Sequence, residues 1–294
     1  MNGVALVDKP EGVSSFAVVA QLRRAFRFAG VRKVGHTGTL DPLASGLLPV
    51  CIGEATKFAQ RGLDARKTYR ATIQFGQATS TGDREGETTA EGPSRVDEAA
   101  LEAVLPRFRG RITQQPPAFS ALKVNGRPAY VFARRGELLE LPPRDVEIYA
   151  LEVERIEREA GRVELYVECS KGTYLRSLAI DLARALGTVG HLAALRRLAT
   201  GHWSLDQAQP LSWWIEASDE ERLGALLPTD TLLRDLPSLS LNEAQVRVLR
   251  RGQAVALAAG VPAGLYRAYE PDGGLLGLVE GKGGQLRAKR LLAA

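Results

Sequence analysis

Residues Gly35–Val50 read GHTGTLDPLASGLLPV, and the acidic side chain in that run is Asp41. Glycines 35, 38 and 46 and prolines 42 and 49 hold the stretch in turns that few other residues could make. A lone carboxylate there is either a cap on a turn or helix, the common role of Asp beside Pro, or a reactive group on a stiff support. The reactive reading is chemically sound, because an ionised carboxylate can attack a carbon and leave it again readily. Arg176 stands at the start of a helix, where a cation is poorly placed on dipole grounds unless a carboxylate compensates. Tyr69 lies on a strand and by alternation alone reads as core.

The elements that must position these groups follow from periodicity. Val4–Val7 is a short apolar strand. Ser14 or Ser15 caps a helix to about Phe28, with Val18, Val19, Leu22 and Phe26 on one face and Gly30 as its stop. Gly35–Val50 follows as an ordered loop. Lys67–Phe75 alternates cleanly, with Tyr69, Ala71, Ile73 and Phe75 on one face, and predicts a half-buried strand. Gly76–Gly92 reads as a polar loop and Asp97–Phe108 as a helix. Gln114–Asp145 carries prolines 116, 117, 128, 142 and 143 and a basic run through Arg134-Arg135, and reads as an inserted, partly mobile surface segment. Val146–Ile156 and Val163–Cys169 are strands. A helix follows with Leu175, Leu178, Ala179, Leu182 and Leu186 on one stripe and Gly187 as its stop. His191–Leu198 reads as a further short helix.

Beyond Leu239 come short apolar pieces between glycines: Ala254–Leu257, Gly264–Tyr269, Leu275–Val279 and Leu286–Leu292. They predict a small β-rich domain, with the boundary near Leu236. Strands and helices do not strictly alternate before it. The fold class expected is therefore α+β, a mixed or antiparallel sheet with flanking helices, rather than a doubly wound sheet.

Composition narrows the chemistry. The chain has 294 residues, 45% apolar and 25% charged, which suits a soluble protein with one large domain and an appendage. No apolar run approaches the length of about 20 residues of a membrane span. The start, MNGVALVDKPEG, lacks the pattern of a signal peptide, and a cytoplasmic location is expected. Cys51 and Cys169 read as small buried thiols. His36, His191 and His202 offer no zinc site, and the glycines match neither a Walker loop nor a dinucleotide motif, so no metal or cofactor is expected. The net charge of +5 has the sign for a polyanionic partner. Arg23-Arg24, Arg32-Lys33, Arg134-Arg135, Arg196-Arg197 and the tail Lys282, Arg287, Lys289 and Arg290 form discrete basic clusters. Such clusters suit phosphates spread along a folded RNA, although any one pair alone reads as solvated surface.

GHTGTLDPLASGLLP, the strand start KTYRATI and CSKGTYLRSLAIDL, taken with VDKPEGVSS and QPPAFSALKVNGRPAY, resemble the TruB family of bacterial tRNA pseudouridine-55 synthases. The likeness runs from about Val4 to Leu198, and the tail resembles that family's small PUA-type RNA-binding domain. The resemblance implies a pseudouridine synthase domain over residues 1–235, with an RNA-clamping insertion at about 114–145, and a PUA-like domain over 236–294. It implies isomerisation of a T-loop uridine to pseudouridine without cofactor. It assigns the nucleophile to Asp41, the ionised state of that group to the neighbouring cation Arg176, and stacking on the flipped base to Tyr69. Tyr174 and Leu195 become pocket walls, and Asp83 a hydrogen-bonding acid around the tyrosine and base. His36 fits into the RNA loop, and Lys9 and Lys123 become phosphate contacts, with Arg134 and Arg135 added on charge alone. The implied partner is the tRNA T-arm stem-loop, met by a monomer with no obligatory protein partner and no membrane. A non-catalytic RNA-binding or tRNA-folding protein on the same scaffold is the alternative, and it would have no use for Asp41.

Overall fold

The protein is described from a computed structural model, which covers residues 1–120, 122–124, 126–133, 135–137, 139–256 and 261–293. Its large sheet is mixed, in the order Gln209–Pro210, Gly3–Lys9, Ala44–Ile52, Gly190–Thr200, Lys67–Phe75, Arg162–Cys169, Arg144–Glu157, Gly110–Gln114. The Gly190–Thr200 strand runs parallel to Ala44–Ile52 and antiparallel to Lys67–Phe75. Most other pairs in the sheet are antiparallel. This is the α+β architecture expected.

Gly3–Lys9 shows why the early strands read as apolar runs. Its Ala5 and Val7 join a core with Val18, Leu22, Phe26 and Trp214. Its Val4 and Leu6 face the other way, into a cluster with Leu47, Cys51, Phe58, Leu232 and Leu233. Strands buried on both faces lose their alternation. The helix Ser15–Ala25 is capped by Ser14, whose side chain accepts from the Ala17 N–H, and the chain leaves it through Gly30 in the left-handed region. Leu175–Ala185 is the second long helix against the main core, burying Leu178, Ala179 and Leu182.

Three expectations fail. Gly76–Gly92 is not a plain loop, because Gln77–Thr79 and Thr88–Glu91 pair as antiparallel strands within it, and with no buried face they carry no apolar alternation. Gly35–Val50 is not one loop, because Val34–His36 and Ala44–Ile52 are paired strands within it. Ala44–Ile52 is buried almost throughout, so its apolar run carried no period-two signal. His191–Leu198 is not a helix but the middle of the Gly190–Thr200 strand. Its Ala, Leu and Arg content favours helix locally. Register shifts at Leu192/Ala194 and Arg197/Ala199 break the alternation that would have betrayed a strand, and pairing on both edges decides the outcome.

The small sheet has the order Ser238–Ser240, Gly264–Tyr269, Leu275–Lys282, Gln285–Leu291, Val255–Ala256. The helix Glu243–Arg250, unforeseen in the sequence, covers its core of Val246, Leu249, Tyr266, Val279 and Leu286. Leu257 lies outside the described residues. Leu275, Leu278 and Leu292 pack on the Val4 cluster, and Lys57 Nζ donates to the Leu291 carbonyl at 2.8 Å, which ties the two sheets together. No helix among the described residues is long and apolar enough to cross a membrane.

Candidate active site

A cavity of about 370 Å³ opens over the three adjacent strands Ala44–Ile52, Gly190–Thr200 and Lys67–Phe75, and Asp41, Tyr69, Tyr174, Arg176, Leu195 and Arg197 line it. Asp41 reaches it from the turn that precedes the first strand. Ser15, at the start of its helix, holds that turn: its hydroxyl accepts from the Leu40 N–H and donates to the Leu40 carbonyl, both at 2.8 Å. The Ala44 N–H closes the turn on the Asp41 carbonyl at 3.0 Å, and the Gly12 N–H reaches the Pro42 carbonyl at 2.8 Å. Backbone groups thus make the turn, and the Asp41 carboxylate is left to the cavity, its side chain 42% exposed.

Arg176 comes from the first turn of Leu175–Ala185 and is 6% exposed. Its Nη2 lies 2.9 Å from Asp41 Oδ2 and its Nε 3.6 Å from Asp83 Oδ2. It also donates to the carbonyls of Thr81 at 3.2 Å and Phe119 at 2.8 Å. Two carboxylates offset the unfavourable placing of a cation at a helix start. The guanidinium fork, held on four sides, presents one face of charge to Asp41 with little freedom to move.

Asp83 stands against Arg176. It is buried, and its Oδ1 accepts from the Thr81 hydroxyl at 2.6 Å and the Glu85 N–H at 3.1 Å. Tyr69 is buried near the start of Lys67–Phe75. Burial pushes its phenol above the ordinary range, and the Arg197 charge opposes that. Tyr174 precedes the Arg176 helix. Gln114 fixes its backbone by accepting from its N–H at 3.0 Å and donating to its carbonyl at 3.3 Å. Leu195 walls the cavity from a strand, opposite Ala44 and Ala71 in register.

His36 is half-buried at the end of Val34–His36, and its Nδ1 accepts from the Gly38 N–H at 3.3 Å. Burial, then the Arg197 charge, lowers its pKa, so the neutral imidazole is favoured near neutrality. Lys123 is exposed on the hairpin Lys123–Val124/Arg127–Pro128, and Arg135 is exposed beyond it, both in reach of solvent as a phosphate contact requires. Arg134 lies outside the described residues.

Lys9 corrects the sequence reading. It is 0% exposed, and its ammonium donates to the carbonyls of Pro10, Val13 and Pro42. Burial pulls its pKa down to about 8, against the attraction of Asp41. In this arrangement it braces the turn that carries Asp41 and has no surface to offer a phosphate. The Arg196-Arg197 pair also splits, because neighbours on a strand face opposite ways. Arg196 pairs with Asp8 at 2.7 Å, and Arg197 is buried. Arg197 and Lys67 are the charged wall residues to which the sequence reading gave no site role. Lys67 could have been found from its place two residues before Tyr69 on the same strand face. Its ammonium donates to the carbonyls of Gly62, Leu63 and Ala65, and burial lowers its pKa to about 8. Cys51 and Cys169 are buried free thiols, each pushed up to about 12 by burial.

Residues 23–175 match the family described as TruB family pseudouridylate synthase (N terminal domain), and residues 237–292 match Pseudouridine synthase II TruB, C-terminal. The chain is 45% identical over 294 residues to the tRNA pseudouridine synthase B of Aromatoleum aromaticum, covering 100% of this chain and 93% of that one. It is 43% identical over 281 residues to the protein of the same name from Neisseria gonorrhoeae, covering 95% and 90%. Among solved structures it is similar to one titled "Structure of H/ACA RNP bound to a substrate RNA containing 2'-deoxyuridine", with a TM-score of 0.72, 25% identity and coverage of 99% and 85%.

Proposed function

The chain belongs to the TruB family of pseudouridylate synthases, and on that premise we propose that Asp41 is the nucleophile with which it isomerises the T-loop uridine at tRNA position 55. It is an isomerase of tRNA uridine, as its relatives are. In that reaction the bond from uracil N1 to ribose C1′ breaks and a C5–C1′ bond forms. The C5 proton leaves and N1 gains one, so atoms and electrons balance within the nucleotide.

The observation that carries the reading is the pairing of Asp41 with Arg176 at 2.9 Å on the wall of a cavity that Tyr69 also lines. Arg176 pairs with the carboxylate and aims it while RNA excludes water. Attack by Asp41 lets the base detach, expulsion of Asp41 completes the exchange, and Tyr69, Tyr174 and Leu195 hold the free base between two aromatic faces and an apolar wall as it turns. Tyr69 and Arg176 are therefore assigned catalytic roles, with Asp83 fixing Arg176 from behind. A nucleotide reaches such a recess only by leaving its stack, at a cost of about a few kcal/mol. His36 occupies the vacated space as a neutral ring, and Lys123 and Arg135 meet phosphates from the insertion at about 114–145. The division into a catalytic unit, 1–235, and an RNA-binding unit, 236–294, belongs to the same proposal, as do a cytoplasmic location and action as a monomer on the T arm.

The test is incubation with an unmodified T-arm hairpin carrying tritium at uracil C5. Release of label into water is expected from the native chain and none from Asp41→Asn, at similar hairpin affinity. Full release by Asp41→Asn would end the nucleophile assignment.

A further inference from the structure

Arg197 is 1% exposed, and its guanidinium meets no carboxylate within ion-pair distance among the described residues. A buried charge without a counter-charge persists only where its hydrogens are bonded. Its bonds are informative. Nε donates to the Leu47 carbonyl at 2.6 Å and Nη2 to the Gly38 carbonyl at 3.1 Å, which are acceptors on either side of Asp41 in the chain. The Arg197 and Tyr69 side chains line the same cavity wall. In register, Arg197 lies opposite Gly46 on one side and Tyr69 on the other. Gly46 is needed for that approach: at φ +101°, a Cβ there would stand 2.3 Å from the Arg197 carbonyl oxygen.

We propose that Arg197 is a positioning residue for the isomerisation, its guanidinium and its strand pairing locking the Gly38–Leu47 span that carries Asp41 and the strand position that carries Tyr69 into one frame. The inference rests on the roles proposed above for Asp41 and Tyr69. One rigid planar fork holds both ends of the span, which a flexible ammonium cannot do. Arg197 touches the machinery and not the reacting atoms, so its removal acts through misplacement.

The test is Arg197→Lys, which keeps the charge and most of the stem, read in single turnover on the T-arm hairpin. The expected result is a rate lower by about 100-fold, the effect of a displacement of about 1 Å, with hairpin affinity within about threefold of native. Tyr69→Phe supplies the second reading. If the frame exists, Arg197→Lys costs less in the Tyr69→Phe background than in the native one. Losses that simply multiply would overturn the coupling to Tyr69. A native rate for Arg197→Lys would overturn the proposal outright while leaving Asp41 untouched, since Asp41→Asn reports on that role separately. A variant whose circular dichroism and melting show an unfolded chain would also overturn it, by making Arg197 a fold residue alone.

Discussion

The large and small sheets handle charge in opposite ways. On and around the large sheet, Lys9, Lys67, Asp83, Arg176 and Arg197 are buried; Arg176 and Arg197 find their partners in distant parts of the chain, and Lys67 finds its own within five residues. On the small sheet, the buried core is Leu241, Val246, Leu249, Tyr266, Ala268, Leu276, Val279 and Leu286, and Arg287, Lys289 and Arg290 lie outside it. Buried, over-determined charge costs stability unless every bond is made, and it fixes atoms to the tolerance that bond-breaking needs. Exposed charge costs little and attracts a polyanion without aiming anything. On the function proposed above, one sheet positions and the other attracts.

That contrast can be broken by substitution. Asp41→Asn should lower the turnover number by about 10⁴-fold or more with little change in RNA affinity, as for loss of a nucleophile elsewhere. Tritium release measures it, and a loss confined to binding would erase the distinction between the sheets. Arg176→Met should come next. It leaves Asp83 buried without its cation, and the expected loss of about 3–5 kcal/mol is read by urea unfolding. A neutral outcome would show that the buried network does no positioning. Ser15→Ala removes both bonds to Leu40 and should cost about 1–3 kcal/mol, read the same way. In the small sheet, Arg287→Ser with Arg290→Ser should leave the hairpin turnover intact. The slope of log affinity against log salt for whole tRNA should flatten by about 1 for each phosphate that the variant no longer neutralises. Equal slopes would strip that sheet of its attracting role.

The smallest effect is a pH slope. Lys67 titrates at about 8 in the fold against 10.5 ordinarily. Between those values the unfolded chain keeps a proton that the fold has released, so this group's contribution to stability rises with pH across the window. The unfolding free energy of the native chain, minus that of Lys67→Met, should climb there. A flat difference would mean that Lys67 is not desolvated.

Legibility followed the same division. Lys67–Phe75 was readable because one face is buried and the other is not, and Asp41 because glycine and proline surround a single acid. The motif residues Arg176 and Tyr174 were reached through resemblance, and no periodicity would have brought them to Asp41. What failed were strands without a clean alternation. Ala44–Ile52 shows no alternation, and bulges scramble Gly190–Thr200, so Arg197 passed for surface charge beside Arg196. Lys9 failed for a related reason: a lysine in a polar turn reads as exposed until the carbonyls that surround it are seen.

The pairing of Gly190–Thr200 between Ala44–Ile52 and Lys67–Phe75 also sets an order in time. During synthesis the early strands emerge with their shared gap unfilled, and both bordering edges stay open until the later segment arrives. Asp41 and Tyr69 cannot be brought to their final separation before then. A half-made chain is therefore catalytically silent, and it is exposed to chaperones and to mispairing for as long as that long-range closure takes.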